Sequence, residues 1–220
     1  MIRGPIRSDS VEAEAYRGLR TTLSFTRLPE GRRVVLFTSA RRGEGKSTTA
    51  LNFAAVCAYG ERPTLLVDAD LRNPQVDEVL DATGFLGLAG FLEGVANVSL
   101  AELVVPTRVP SLDFLPAGGP VANAAELLSR PVFAELIEAA RASYDWVVFD
   151  APPVLPIADA VIVSRSVDGV VLVVDMKRTP IEAARGARDL LRAVDAPLLG
   201  VVANRSPAKA TAYGYGRYPG

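Results

Sequence analysis

Short apolar runs, many of them rich in β-branched residues, alternate with longer stretches of helical periodicity along most of the chain. This alternation is typical of βαβ units, in which helices connect parallel strands. Several runs are apolar at every position, as expected for strands covered on both faces. The pattern predicts a three-layer α/β/α fold in which helices flank a mainly parallel central β-sheet. The predicted strands are Val34–Thr38, Thr64–Val67, Leu112–Leu115, Trp146–Phe149, Gly169–Val174 and Leu198–Ala203.

Helices are predicted where apolar residues recur at intervals of three and four. The segment 72–109 lacks this periodicity, and its four glycines between positions 84 and 94 predict short helices and loops beside the sheet. Residues 206–220 are rich in Gly and Ala, so we expect a flexible tail after one domain that spans 1–205. The predicted helices are Val11–Phe25, Lys46–Tyr59, Ala124–Tyr144 with a break near Pro131, and Ile181–Val194.

The composition narrows the chemistry that the chain can perform. Its 220 residues include no histidine and one cysteine, Cys57, which excludes an intrachain disulfide, His-dependent nucleophiles and zinc sites that need imidazole. Acid and base chemistry must then use carboxylates, lysine or tyrosine. No apolar run reaches the roughly 18 residues of a membrane span, so we expect a soluble, cytoplasmic protein.

A glycine-rich segment, SARRGEGKST at positions 39–48, follows the first predicted strand and leads into a helix. Gly43 and Gly45 let the backbone turn its N–H groups inward, and Lys46 supplies a point charge for the β- and γ-phosphates. Ala40 stands where the usual phosphate loop has glycine, and the alternative is a glycine turn that only caps the helix. The candidate phosphate-binding residues are Arg42, Gly43, Glu44, Gly45, Lys46, Ser47 and Thr48.

Two further predicted strands end in aspartates: Asp68 and Asp70 follow the second, and Asp150 follows the fourth. The carboxyl ends of parallel strands meet at one edge of a sheet, so we expect all three carboxylates near Lys46. Single aspartates at strand ends are more often caps for the next turn. Three beside a phosphate loop predict a nucleotide site with Mg²⁺.

The loop, the Asp68-x-Asp70-x-Arg72 element and the Asp150-x-Pro152 element resemble, in this order, the nucleotide motifs of the bacterial protein-tyrosine kinases, or BY-kinases. That family accompanies capsular and exopolysaccharide synthesis and belongs with the P-loop ATPases of the chromosome-partitioning and division-site type. Ala151 departs from the Ser or Thr common in the family. Arg41 replaces the signature lysine of the partitioning ATPases, which favours the kinase branch.

The resemblance implies an ATP-dependent tyrosine autokinase that regulates polysaccharide synthesis and export, with ATP and ADP as nucleotides and Mg²⁺ as metal. A tyrosine hydroxyl with a pKa of about 10 is almost entirely neutral at pH 7, so a carboxylate that accepts its proton assists phosphoryl transfer. We expect Asp68 to be this base and Lys46 to neutralise charge on the phosphates. Ser47, Asp70 and Asp150 are the expected Mg²⁺ ligands, directly or through water. Asn204 is a candidate adenine contact by resemblance, and an Asn that only forms a turn is an equal alternative.

Three of the six tyrosines lie in the last eight residues: Tyr213, Tyr215 and Tyr218. The resemblance implies that they are the autophosphorylation sites. The alternative is that they are only aromatic residues on a frayed chain end.

Glu14, Arg17 and Arg20 are spaced by three and share one side of a predicted helix within the N-terminal region 1–30. They resemble the family's oligomerisation motif, which implies a homo-oligomeric ring, although Glu14 and Arg17 could form only a solvated intrahelical pair. The resemblance also implies a transmembrane activator, a polysaccharide co-polymerase, that holds the kinase at the inner face of the membrane. The substrates are then protein tyrosines, with no nucleic acid and only indirect membrane contact.

Two other functions remain open from sequence. A partitioning or division-site ATPase switch without kinase activity would predict lysine at position 41 and an amphipathic terminal helix, and the chain shows neither. A non-catalytic module that binds nucleotide and a partner is excluded only by measured activity.

Overall fold

The computed structural model describes residues 4–26, 28, 33–95 and 98–206. Within these ranges seven strands form one sheet in the order β3-β4-β2-β5-β1-β6-β7. Neighbouring strands pair in parallel, apart from the antiparallel β3 and β4. The strands are β1 Arg33–Ser39, β2 Thr64–Asp68, β3 Val105–Pro106, β4 Leu112–Leu115, β5 Trp146–Asp150, β6 Gly169–Asp175 and β7 Leu198–Asn204.

Helices cover both faces of the sheet, because successive strand residues point to opposite faces and both sets are apolar. One buried cluster joins Val35 and Phe37 to helices α1 and α2. A second joins Val34 and Leu36 to helices α4 and α6 to α9. The helices are α1 Val11–Ser24, α2 Lys46–Tyr59, α3 Val76–Val79, α4 Gly87–Glu93, α5 Leu100–Leu103, α6 Ala124–Leu128, α7 Pro131–Ser143, α8 Asp159–Ser164 and α9 Ile181–Ala193.

The three-layer α/β/α prediction is confirmed, and all six predicted strands form within one residue of their expected bounds. Pro131 divides the long predicted helix as expected, because its fixed φ suits the first position of α7. Two elements were not predicted. Strand β3 has only two residues, and α8 is a six-residue apolar segment without helical periodicity.

The sheet brings the ends of three strands together at its carboxyl edge. In the register of the parallel pairs, Asp150 lies opposite Asp68 on one side and opposite Phe37 on the other. The segment after β1 therefore begins beside both aspartates. Among the described residues, no helix has the length and apolar character needed to cross a membrane.

Candidate active site

The segment between β1 and α2 forms a tight loop whose backbone requires glycine. Gly43 has a φ of 80° and Gly45 a φ of 96°, both in the left-handed region that other residues rarely adopt. A Cβ atom on Gly45 would lie 2.1 Å from Nδ2 of Asn204. No side chain of the described residues caps the N-terminus of α2 at Gly45, so its first amides are available to an anion. The predicted strand, loop and helix are all present.

Lys46 lies at the centre of an oxygen cluster. Its Nζ atom is 3.0 Å from Oδ2 of Asp70, 3.4 Å from Oδ1 of Asp150 and 3.1 Å from Oγ of Ser47. Burial opposes its charge, but Asp150, Asp70 and Asp68 outweigh that effect and raise the pKa of Lys46 to about 12. The lysine is therefore a fixed cation beside the phosphate loop.

Asp68 lies deepest in this cluster. Its side chain has no exposed surface, and its two carboxylate oxygens accept the N–H groups of Asp70 (2.9 Å) and Val76 (3.2 Å). Burial and the neighbouring Asp150 raise the pKa of Asp68 well above its ordinary value, and Lys46 opposes that rise. Burial also raises the pKa of Asp150, again against Lys46. Two carboxylates are thus held in surroundings that favour proton uptake.

A cavity of about 790 Å³ opens next to Lys46 and has the charge expected of a polyphosphate site. Four cationic side chains line it: Lys46, Arg42, Arg178 and Arg205. Asp70 and Ser47 reach the same surface, whereas Asp68 does not. The remaining lining residues are Gly43, Gly45, Thr48, Asn73, Gln75, Glu78, Val79 and Pro153.

Ser47, Asp70 and Asp150 offer hard oxygen atoms around the position that the Lys46 ammonium occupies. Within the described ranges no group of three or more His, Cys, Asp and Glu side chains could hold a metal ion. The oxygens of Ser47, Asp70 and Asp150 nevertheless suit Mg²⁺ bound with a nucleotide, because Mg²⁺ keeps several waters and takes one or two carboxylates together with substrate phosphates. The residues present therefore fit a magnesium ion that is bound with a nucleotide.

The side chains of two predicted nucleotide contacts, Glu44 and Asn204, make hydrogen bonds within the protein. The Glu44 side chain is only 3% exposed, and its carboxylate accepts hydrogen bonds from the loop and from Thr179 rather than facing the cavity. Asn204 uses its amide within the protein, donating to the carbonyl of Glu44 and accepting from the N–H of Arg205. Its contact with adenine stays a prediction.

The N-terminal motif is split between two environments. Arg17 pairs with Glu14 at 2.6 Å, and both side chains are exposed on α1. Arg20 instead turns toward α2, where it donates to the carbonyl of Val56 at 3.0 Å. Tyr213, Tyr215 and Tyr218 lie outside the described residues.

Sequence reasoning missed several residues that support the loop, including Thr179 and Arg205. Asp175 is the clearest omission, because it ends β6 after an apolar run, as Asp68 and Asp150 end theirs. Arg178 gave no signal, since a single arginine in a loop of an arginine-rich chain is unremarkable. Asp159 begins α8, an unpredicted helix, and its buried carboxylate pairs with Arg72.

Comparison with known proteins agrees with this geometry. A family model for the AAA domain matches residues 32–197. The tyrosine-protein kinase YwqD of Bacillus subtilis is 39% identical over 207 residues, which are 94% of this chain and 86% of YwqD. The succinoglycan biosynthesis transport protein ExoP of Rhizobium meliloti is 36% identical over 90% of this chain, which spans only 25% of ExoP.

Solved structures that resemble this fold include a tyrosine-kinase domain. The chimerical protein CapA2B2 superposes with a TM-score of 0.85 at 30% identity, over 94% of this chain and 95% of its own. The kinase domain of the Escherichia coli tyrosine kinase ETK gives 0.81 at 29% identity, over 93% and 80%. The cell division ATPase MinD of Pyrococcus furiosus gives 0.67 at 24% identity, over 82% and 77%, and so shares the fold.

Proposed function

The chain belongs to the bacterial tyrosine-protein kinases, and from this premise we propose that it transfers the γ-phosphoryl group of ATP to tyrosines of its own C-terminal tail. ADP leaves and phosphotyrosine forms, so the bond from the γ-phosphorus to the β–γ bridging oxygen breaks as the bond to the tyrosine oxygen forms. One observation supports this most strongly: the Lys46 ammonium lies within hydrogen-bond reach of both Asp70 and Asp150, and Lys46 lines a cationic cavity.

We assign the phosphate contacts to the loop amides and to Lys46, which exchanges its carboxylate partners for phosphate oxygens when nucleotide binds. Arg42 and Thr48, which line the same cavity, add contacts to the phosphates. Ser47, Asp70 and Asp150 hold Mg²⁺ directly or through water. The metal, once bound, neutralises charge on the phosphate oxygens.

We assign proton acceptance to Asp68. Its raised pKa supports this role, because a carboxylate is a better base when its pKa lies closer to the working pH. Asp68 has no exposed surface, so a tyrosine can reach it only after the residues that cover it have moved.

The position of Arg205 supports the tail as substrate. The chain leaves β7 at Asn204, and Arg205 lines the cavity. Tyr213 follows Arg205 by eight residues, a length that can span up to about 27 Å when extended. The three tyrosines of residues 206–220 are therefore tethered within reach of an active site, either their own or that of a neighbouring subunit.

Assembly and location follow from the same family membership. We propose that Glu14, Arg17 and Arg20 contribute to a homo-oligomer, which the exposed Glu14 and Arg17 support. We further propose that a transmembrane activator of polysaccharide export holds the kinase at the inner face of the membrane. The match to one quarter of ExoP supports this arrangement, since that transport protein contains a segment similar to this chain.

The function is tested with a synthetic peptide of residues 206–220, supplied to the full chain with ATP and Mg²⁺. We expect phosphotyrosine on this peptide, none on a peptide with phenylalanine at positions 213, 215 and 218, and none with Lys46→Met protein. ADP formation without phosphotyrosine would contradict the proposal and indicate an ATPase switch.

A further inference from the structure

The carboxylate of Glu44 fixes the start of the phosphate loop from inside. Its Oε2 atom accepts the N–H groups of Ala40 at 2.9 Å and Arg41 at 3.1 Å. Its Oε1 atom accepts the hydroxyl of Thr179 at 2.6 Å, across 135 positions of sequence. Glu44 therefore ties the loop after β1 to the segment that follows β6, and both of its carboxylate oxygens accept hydrogen bonds from within the protein.

Two side chains at the end of β7 hold the next part of the loop by its carbonyl groups. Asn204 donates from Nδ2 to the carbonyl of Glu44 at 2.8 Å, and Arg205 donates from Nη1 to the carbonyl of Gly43 at 3.0 Å. In a trans peptide the N–H points opposite to the C=O of the same unit. Fixing these two carbonyls therefore turns the N–H groups of Glu44 and Gly45 the other way, as a phosphate site requires.

Asp175 links these two supports. The Thr179 hydroxyl accepts the N–H of Asp175 at 2.9 Å while it donates to Glu44. The buried carboxylate of Asp175 accepts the N–H of Lys177 and the guanidinium of Arg205. Burial opposes its charge, but these two partners lower the pKa of Asp175 and keep it ionised.

We propose that Glu44, Thr179, Asn204 and Arg205 are positioning residues that aim the amides of the phosphate loop at the nucleotide. Gly43 and Gly45 permit the required backbone but do not select it, because glycine has wide conformational freedom. The four side chains restrict the loop before nucleotide arrives, which lowers the entropy lost on binding. This inference rests on the nucleotide binding of the proposed function and does not require tyrosine phosphorylation.

Thr179 provides the mildest test, with the full chain and ADP plus Mg²⁺ in a titration calorimeter. Thr179→Val keeps the side-chain shape and removes the hydroxyl, so we expect ADP to bind about tenfold more weakly. Amide hydrogen exchange of peptides that cover residues 40–47 should become faster in the same variant. Thr179→Ser restores the hydroxyl and should restore both values, and Thr22→Val, on the exposed face of α1, is the matched control.

Arg205→Ala and Asn204→Ala test the second support in the same way, with the exposed Arg165→Ala as control. Urea unfolding separates positioning from general destabilisation. A variant that has lost only positioning stays folded in the absence of urea, where its weaker ADP binding is measured. The proposal is overturned if Thr179→Val and Arg205→Ala bind ADP as tightly as the parent and show the parent's rate of amide hydrogen exchange in residues 40–47. Failure of tyrosine phosphorylation with ADP affinities that fall as expected would instead reject only the kinase assignment.

Discussion

The ammonium nitrogen of Lys46 lies 3.0 Å from a carboxylate oxygen of Asp70. This contact joins the first residue of α2 to the loop that follows β2. Both side chains are largely buried, at 12% and 9% exposure. The lysine that is proposed to bind phosphate therefore begins in an ion pair with a carboxylate cluster. In the proposed function, nucleotide and Mg²⁺ replace these internal contacts.

Replacing Lys46 by methionine should destabilise the nucleotide-free protein by about 3 kcal/mol at neutral pH, because the buried carboxylates lose their counter-charge. In the variant the pKa values of Asp68 and Asp150 then rise further, since Lys46 opposes their rise in the parent. A carboxyl whose folded pKa is raised destabilises the fold as pH rises above its ordinary value of about 3.9. The difference between variant and parent should therefore shrink as pH is lowered toward that value.

Urea unfolding at a series of pH values measures this difference. Lys177→Met, which removes an exposed lysine, is the matched control and should stay near the parent throughout. If the difference in free energy of unfolding between Lys46→Met and the parent does not change with pH, the Lys46 charge does not control the pKa values of the buried carboxylates.

Asp68→Asn should lower the rate of autophosphorylation about 100-fold or more while ADP affinity is retained, because the base is lost and the phosphate contacts are not. In the parent, activity should rise with pH through the raised pKa of Asp68. That rise should be absent from the variant. Rates at several pH values, with the exposed Asp81→Asn as control, provide the measurement; full activity in Asp68→Asn would remove the base assignment.

Arg17→Ala should lower the molar mass measured by light scattering if the exposed Glu14 and Arg17 contribute to an assembly. Arg20→Ala should in addition lower the unfolding midpoint, because Arg20 donates to the carbonyl of Val56 near the end of α2. An unchanged mass in the Arg17→Ala/Arg20→Ala double variant would reject the subunit contact, and the fall in stability for Arg20→Ala would remain.

Arg72→Ala should destabilise the fold by about 3 kcal/mol, because the carboxylate of Asp159 has no exposed surface and would lose a bidentate partner. Asp159→Ala on that background should recover part of the loss, since the unpaired charge is gone. The pair of the exposed Arg62 and the half-buried Asp145 is the comparison, with an expected loss below about 1 kcal/mol for Arg62→Ala. Equal losses in the two arginine variants would contradict the assigned role of burial.

The strands and the convergence of the three aspartates could be predicted from sequence because both depend on local or general rules. Apolar runs identify buried strands, and parallel strands place their carboxyl ends at one edge. The phosphate loop was equally local, since Gly43, Gly45 and Lys46 are contiguous with β1 and α2.

The contacts that support the loop could not be predicted, because they join residues far apart in sequence. Thr179 meets Glu44 across 135 positions, and Asn204 meets it across 160. The phosphate contact of Glu44 stays a prediction, which its backbone N–H can satisfy, and only the fold shows that its carboxylate is buried. The Asp68 carboxylate likewise accepts the N–H of Val76, which belongs to a helix too short for periodicity to reveal.

Mass spectrometry of the full chain after incubation with ATP and Mg²⁺ tests the kinase assignment most directly. We expect phosphate on Tyr213, Tyr215 and Tyr218 in the parent, in amounts that match the ADP released, and none on these residues in Lys46→Met. Release of ADP with every tyrosine unmodified would contradict tyrosine kinase activity.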